Sequence, residues 1–127
     1  MTGMTDSGAG RRVLVVEDES MIRLLLDGML SELGYTMAGE AGRLDEAVAL
    51  AKAGEFDLAI LDVNLNGHPV TPVVEILKQR KVPFVFASGY GRRGIPDGCP
   101  DAPLLQKPFQ SEALARALAQ LAPKAVG

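Results

Sequence analysis

Two hydrophobic patterns alternate along the chain. Short, nearly solid apolar runs appear in "RVLVVED" (12–18), "FDLAILD" (56–62) and "PFVFAS" (83–88), each closing on polar residues. Such runs predict strands covered on both faces. Between them, apolar residues recur at steps of three and four, the period of a helix with one buried face. From Ser20, a candidate N-cap, Ile22, Leu25, Leu26, Met29 and Leu33 mark a first helix that Gly34 should stop. "YTMAGEA" (35–41) reads as a weaker second strand. Leu44, Ala47, Val48 and Ala51 carry a second helix closed by Gly54. Thr71 with Pro72 behind it opens a third, carried by Val73, Val74, Ile76 and Leu77 to about Arg80. "PLLQK" (103–107) is the fifth strand. Ser111 should cap a last helix running through Leu114, Leu118 and Leu121 and ended by Pro123.

Strands that alternate with helices imply parallel pairing through right-handed crossovers, hence an open α/β sheet with helices on both faces. In such sheets ligands bind outside the carboxyl ends of the strands, where strand order reverses. The predicted strand ends are polar there: Glu17 and Asp18, Asp62, Ser88 and Lys107. Singly, each has an ordinary explanation. An acid run favours a helix start, Asp62 could sit in a turn, and Lys107 could be a surface cation. Four strands delivering such groups to one rim is a pattern that core packing does not require.

Composition narrows the class. The 127 residues are 47% hydrophobic, enough for one core, with residues 1–10 expected as a flexible lead, 11–122 as the domain and 123–127 as a tail. A net charge of -3 offers no footprint for nucleic acid. The opening "MTGMTDSGAG" lacks the apolar core of a signal peptide, and no run reaches membrane-spanning length, so a cytoplasmic protein without a membrane partner is expected. The single cysteine, Cys99, lies among Gly98, Pro100 and Asp101 and reads as a loop thiol. The single histidine, His68, follows Asn66 and Gly67 and reads as a surface loop residue, with no second histidine to share a metal.

The rim residues suit one chemistry. Carboxylates gathered together repel one another unless a divalent cation neutralises them, and magnesium is the cation that takes one or two carboxylates while keeping water and phosphate oxygens. One carboxylate can then attack phosphorus to form an acyl phosphate, with Lys107 as a point charge and the Ser88 hydroxyl as a donor to a phosphoryl oxygen.

In this order and placement the residues resemble the receiver domains of two-component response regulators, over roughly residues 11–122. The resemblance implies a doubly wound, five-stranded parallel sheet of flavodoxin-like receiver fold. It implies that Asp62 is the phosphoacceptor, that Asp18 ligates Mg2+ directly and Glu17 through water, and that the backbone carbonyl of Asn64 completes the protein ligands. Lys107 would bind the phosphoryl group, Ser88 would move toward it, and the peptide before Pro108 is often cis. The implied partners are a sensor histidine kinase or histidine phosphotransfer protein and a downstream protein target. The chain ends soon after the last helix, so a stand-alone signalling domain, not an enzyme, is expected, acting by contact or as a phosphate sink.

"PFVFASGYG" further resembles the FAT GUY subgroup of receivers. Residues 89–106 hold four glycines and three prolines without helical period, so a poorly formed or missing fourth helix and a mobile loop are expected. Leu104 stands where many receivers carry a switching aromatic, leaving Tyr90 as an alternative reporter or merely an aromatic packed on the sheet edge. Two other classes compete. A phosphorylation-independent interaction module would leave the rim silent. An aspartate-nucleophile phosphatase would place its nucleophile on the first strand and need extra chain for a substrate cap.

Overall fold

The computed structural model describes residues 10–89, 91–96, 98–99 and 102–121. Tyr90, the lead up to residue 9, Pro123 and the C-terminal tail lie outside the described residues. The elements follow in the order β1 (Arg12–Val16), α1 (Ser20–Glu32), β2 (Thr36–Ala41), α2 (Leu44–Ala53), β3 (Leu58–Asp62), β4 (Asn64–Leu65), β5 (His68–Pro69), α3 (Thr71–Arg80), β6 (Phe84–Ser88), β7 (Leu104–Gln106) and α4 (Ser111–Ala119). The expected five-stranded parallel sheet is present, ordered β2-β1-β3-β6-β7. Successive strands step outward from β1 to β2, then cross to β3 and continue the other way. The order therefore reverses between β1 and β3.

Alternation along the strands builds a core layer on each side of the sheet. Leu14, Val16, Ala59, Leu61 and Phe86 face α2 and α3. Val13, Val15, Leu58, Ile60, Val85 and Leu105 face α1 and α4. In α1 the buried stripe runs through Leu26 and Leu30, with Ile22, Met29 and Leu33 beside it. Leu25, expected on that stripe, is 57% exposed, because a 100° step per residue turns it away from Leu26 and Leu30. Caps also differ from expectation. Glu19 and Gln110 hold the N-cap positions of α1 and α4, Val70 that of α3, and none makes a side-chain capping bond. Ser20, Thr71 and Ser111 are instead first helical residues. Gly34 does stop α1, in the left-handed region at φ 91°.

No regular fourth crossover helix is found among the described residues between β6 and β7. A single 3-10 turn, Gly91–Gly94, stands there. Ile95, Cys99 and Ala102 nevertheless pack against the layer that holds Phe86, and Cys99 is buried. Lys78 on α3 donates to the Gly98 carbonyl at 3.0 Å, and Arg92 to the Ala102 carbonyl at 3.0 Å. Cys99 is thus a core contact within a loop.

Candidate functional site

Strand β1 stops at Val16, at the reversal point, and the next two residues carry the first acids. The Glu17 N–H still pairs with the Ala41 carbonyl of β2 at 3.0 Å, which extends the sheet by one bond. Glu17 is buried, at 1% exposure. Its Oε1 accepts from Lys107 Nζ at 2.7 Å and its Oε2 from the Glu19 N–H at 3.0 Å. Asp18 is half-buried, and its Oδ2 accepts the Asn66 N–H at 2.9 Å.

Asp62 arrives at the same place through register. Val16 lies opposite Leu61 on β3, so the residues that follow each, Glu17 and Asp62, come side by side. The Asp62 carboxylate accepts from the Asn64 N–H at 3.4 Å and from Lys107 Nζ at 3.3 Å. On the far side Asp62 pairs with Ala87 and Ser88 with Gln106, and the Lys107 N–H binds the Ser88 carbonyl at 2.9 Å. Ser88 is buried at the end of β6. Asp18, Asp62, Asn64, Gly89 and Lys107 line one cleft at this rim.

The fold therefore brings together Glu17, Asp18, Asp62, Asn64 and Lys107. It sets Ser88 one strand over, tied to Lys107 through the backbone. Leu104, opposite Phe86, is an aliphatic contact of the core layer. The Lys107–Pro108 peptide is cis. His68 is exposed in β5.

Charge is unevenly balanced here. Burial pushes both Glu17 and Asp62 above the ordinary carboxylate range, and the bonds each receives from Lys107 offset this only in part. For Lys107, burial alone would lower the ammonium. The Glu17 hydrogen bond and the charges of Asp62 and Glu17 outweigh it and hold the group above the ordinary lysine range. Glu17, Asp18 and Asp62 each offer an oxygen within 4.8 Å of the others. Three carboxylates with oxygens this close together, two of them buried, fit a hard divalent ion held by oxygen ligands.

Two features of the rim escaped the sequence reading. Residues 64–69 form a small antiparallel hairpin, with Asn66 (φ 51°) and Gly67 (φ 90°) both left-handed at its turn. The Asn66-Gly67 pair, a turn dipeptide, was the available signal. That hairpin supplies the amide that binds Asp18. The second is Arg23 of α1, whose Nη1 donates to the Glu17 carbonyl at 2.6 Å. Nothing in its sequence surroundings distinguishes it.

An open parallel sheet with an acidic cluster and a lysine at its switch point places the chain in the doubly wound α/β class, with its polar site where that class binds ligands. The chain belongs to the response regulator receiver domain family, whose profile matches residues 13–119. It is 40% identical over 116 residues to the transcriptional regulatory protein PdtaR of Mycobacterium tuberculosis, covering 86% of this chain and 57% of that protein's length. It is 30% identical to the chemotaxis protein CheY of Thermotoga maritima over 118 residues, covering 86% of this chain and 95% of that one. The solution structure of SdrG from Sphingomonas melonis superposes with a TM-score of 0.80 at 41% identity, covering 91% of this chain and 98% of SdrG. Family membership over this span does not favour the phosphatase alternative. No described helix is long and apolar enough to cross a membrane.

Proposed function

We propose that the rim is a magnesium-dependent phosphoacceptor site in which Asp62 takes the phosphoryl group. The observation that carries this reading is the Lys107 ammonium placed between Glu17 and Asp62, with an Asp18 oxygen in the same cluster. Held by Asp18, Asp62 and the Asn64 carbonyl, and through water by Glu17, magnesium would neutralise the like charges here and those of the incoming phosphoryl oxygens. An Asp62 carboxylate oxygen attacks phosphorus. Its bond to phosphorus forms as the donor's bond breaks, to the nitrogen of a phosphohistidine or the oxygen of an acyl phosphate. Lys107 supplies the positive charge that meets the transferred group, and the Ser88 hydroxyl donates to one of its oxygens. Neither needs to act as a base.

The donor is a sensor histidine kinase or a histidine phosphotransfer protein. The output is contact with a downstream protein or withdrawal of phosphate from a relay. The test is labelling by a small acyl phosphate carrying radioactive phosphorus. Wild type should label only with a divalent cation, through a bond that hydroxylamine cleaves, and Asp62→Asn should not label. An alkali-stable label that survives in Asp62→Asn would remove Asp62 from the role. A wild type that never labels would favour the interaction module.

A further inference from the structure

Arg23 lies outside the acidic cluster, and no step of the proposed phosphoryl transfer uses it. Its guanidinium nonetheless joins three elements. From α1, Nη1 donates to the Glu17 carbonyl at the end of β1 at 2.6 Å, and Nε donates to Glu40 Oε1 on β2 at 2.9 Å. The Glu17 carbonyl belongs to the peptide that links Glu17 to Asp18. The orientation of that peptide sets the directions in which both carboxylates leave the chain. On its other side the Glu17 N–H is already held by Ala41. The strand end is thus gripped twice, once by the sheet and once by Arg23.

Gly42 makes room for this grip. A Cβ at that position would stand 2.5 Å from Arg23 Nη1, a distance real Cβ contacts do not reach, and 3.6 Å from the Glu17 carbonyl oxygen. An alanine there would drive the guanidinium off the carbonyl, because the tip of a flexible side chain gives way before backbone does.

We propose that Arg23 is a positioning residue for the magnesium-binding acids. It holds the Glu17–Asp18 peptide in place, with Glu40 as its anchor and Gly42 as the gap it passes through. This rests on the reading of Asp18 and Asp62 as metal ligands. Residues that orient metal ligands are each worth about 10- to 100-fold in metal affinity. The direction of the effect separates positioning from bulk electrostatics. Arg23 is a cation, so its removal by charge alone would tighten the binding of another cation. Loss of positioning weakens it.

The experiment is a Mg2+ titration of the full chain, read by calorimetry and by amide shifts of the rim residues. It compares wild type with Arg23→Met, Gly42→Ala, Glu40→Gln and, as a control, Arg80→Met. Arg80 binds the Ala51 and Gly54 carbonyls at the end of α2, away from the rim. Arg23→Met and Gly42→Ala should each weaken Mg2+ by about tenfold. Glu40→Gln should weaken it by roughly two- to threefold, since that pair is half exposed. Arg80→Met should lower stability and leave Mg2+ affinity unchanged. Arg23→Met that binds as tightly as wild type, or more tightly, overturns the positioning role. Should Arg23→Met fail to fold, Gly42→Ala decides, because it keeps the charge and every carboxylate. A wild type that binds no Mg2+ overturns the ligand reading and this inference together, whereas a wild type that binds beside unaffected variants overturns the positioning role alone.

Discussion

Lys107 stands closer to Glu17 than to Asp62, with its Nζ 2.7 Å from Glu17 Oε1 and 3.3 Å from Asp62 Oδ2. The buried glutamate is thus the lysine's principal partner, and the candidate phosphoacceptor is its second. A lysine that is to meet a phosphoryl group on Asp62 has to yield part of its contact with Glu17. Glu17 and Asp18, adjacent in sequence, therefore take different parts in the site.

The two acids should separate in titration. Asp18→Asn removes a proposed direct ligand and should weaken Mg2+ more than Glu17→Gln, which removes a proposed water-mediated one. Glu17→Gln also takes away the nearest partner of Lys107, so its larger effect should fall on the rate of phosphorylation at saturating Mg2+. Calorimetry and labelling rates on both variants check this. Equal losses of Mg2+ affinity would make both acids direct ligands.

Stability should fall as pH rises through the carboxylate range in the absence of divalent cations. Glu17 and Asp62 sit above their ordinary values, chiefly through burial, so the folded chain keeps their protons to higher pH than the unfolded chain does. Where the folded state binds more protons, raising pH costs stability. Lys107 acts at the other end of the scale. Its raised value gives a contribution that is complete below the ordinary lysine value and is lost as pH rises through the folded one. Asp62→Asn should raise stability at neutral pH, by removing a buried carboxylate that must ionise there, and shrink the stabilisation that Mg2+ confers on wild type. Urea midpoints across pH measure all three effects, and a profile that rises from acid to neutral would contradict the carboxylate effect.

Arg80 is a structural counterpart to Arg23. Its guanidinium donates to the Ala51 and Gly54 carbonyls and lies 5.1 Å from the centre of the Phe56 ring, closing the C-terminal end of α2. Arg80→Met should cost about 1–2 kcal/mol in urea unfolding. Phosphorylation should proceed at the wild-type rate. Lysine at this position should recover only part of the loss, because an ammonium cannot reproduce the planar fork.

Cys99 reports on the segment between β6 and β7. Cys99 is 6% exposed and packs with Ile95 and Ala102 against the layer around Phe86, while Lys78 holds the Gly98 carbonyl. It should react with an aromatic disulfide reagent about a hundredfold more slowly than an unfolded thiol, at a rate set by local opening. Lys78→Ala should speed the reaction. A wild-type thiol that reacts like a free one would show the segment open in solution, as its glycines and prolines led us to expect.

Much of the architecture lay in local pattern. Solid apolar runs and three-and-four spacing place the strands and helices within a residue or two, since burial on two faces or on one leaves a direct mark on composition. The acids, the serine and the lysine were legible because each follows a recognisable strand, and a parallel sheet sends all strand ends to one rim. The 64–69 hairpin was not assembled, although its Asn-Gly turn was in view. Two-residue strands carry too little period to register.

What the sequence by itself determined was which residues reach the rim. Which of them touch was decided by tertiary structure alone. That Lys107 pairs first with Glu17, that the Asn66 amide holds Asp18 and that Arg23 reaches through the gap at Gly42 to the Glu17 carbonyl are contacts between separate elements. The physical reason is that hydrogen bonds and ion pairs hold at about 3 Å. Hydrophobic periodicity sets the face of an element but not its position to that tolerance, and only the packed sheet and helices supply it.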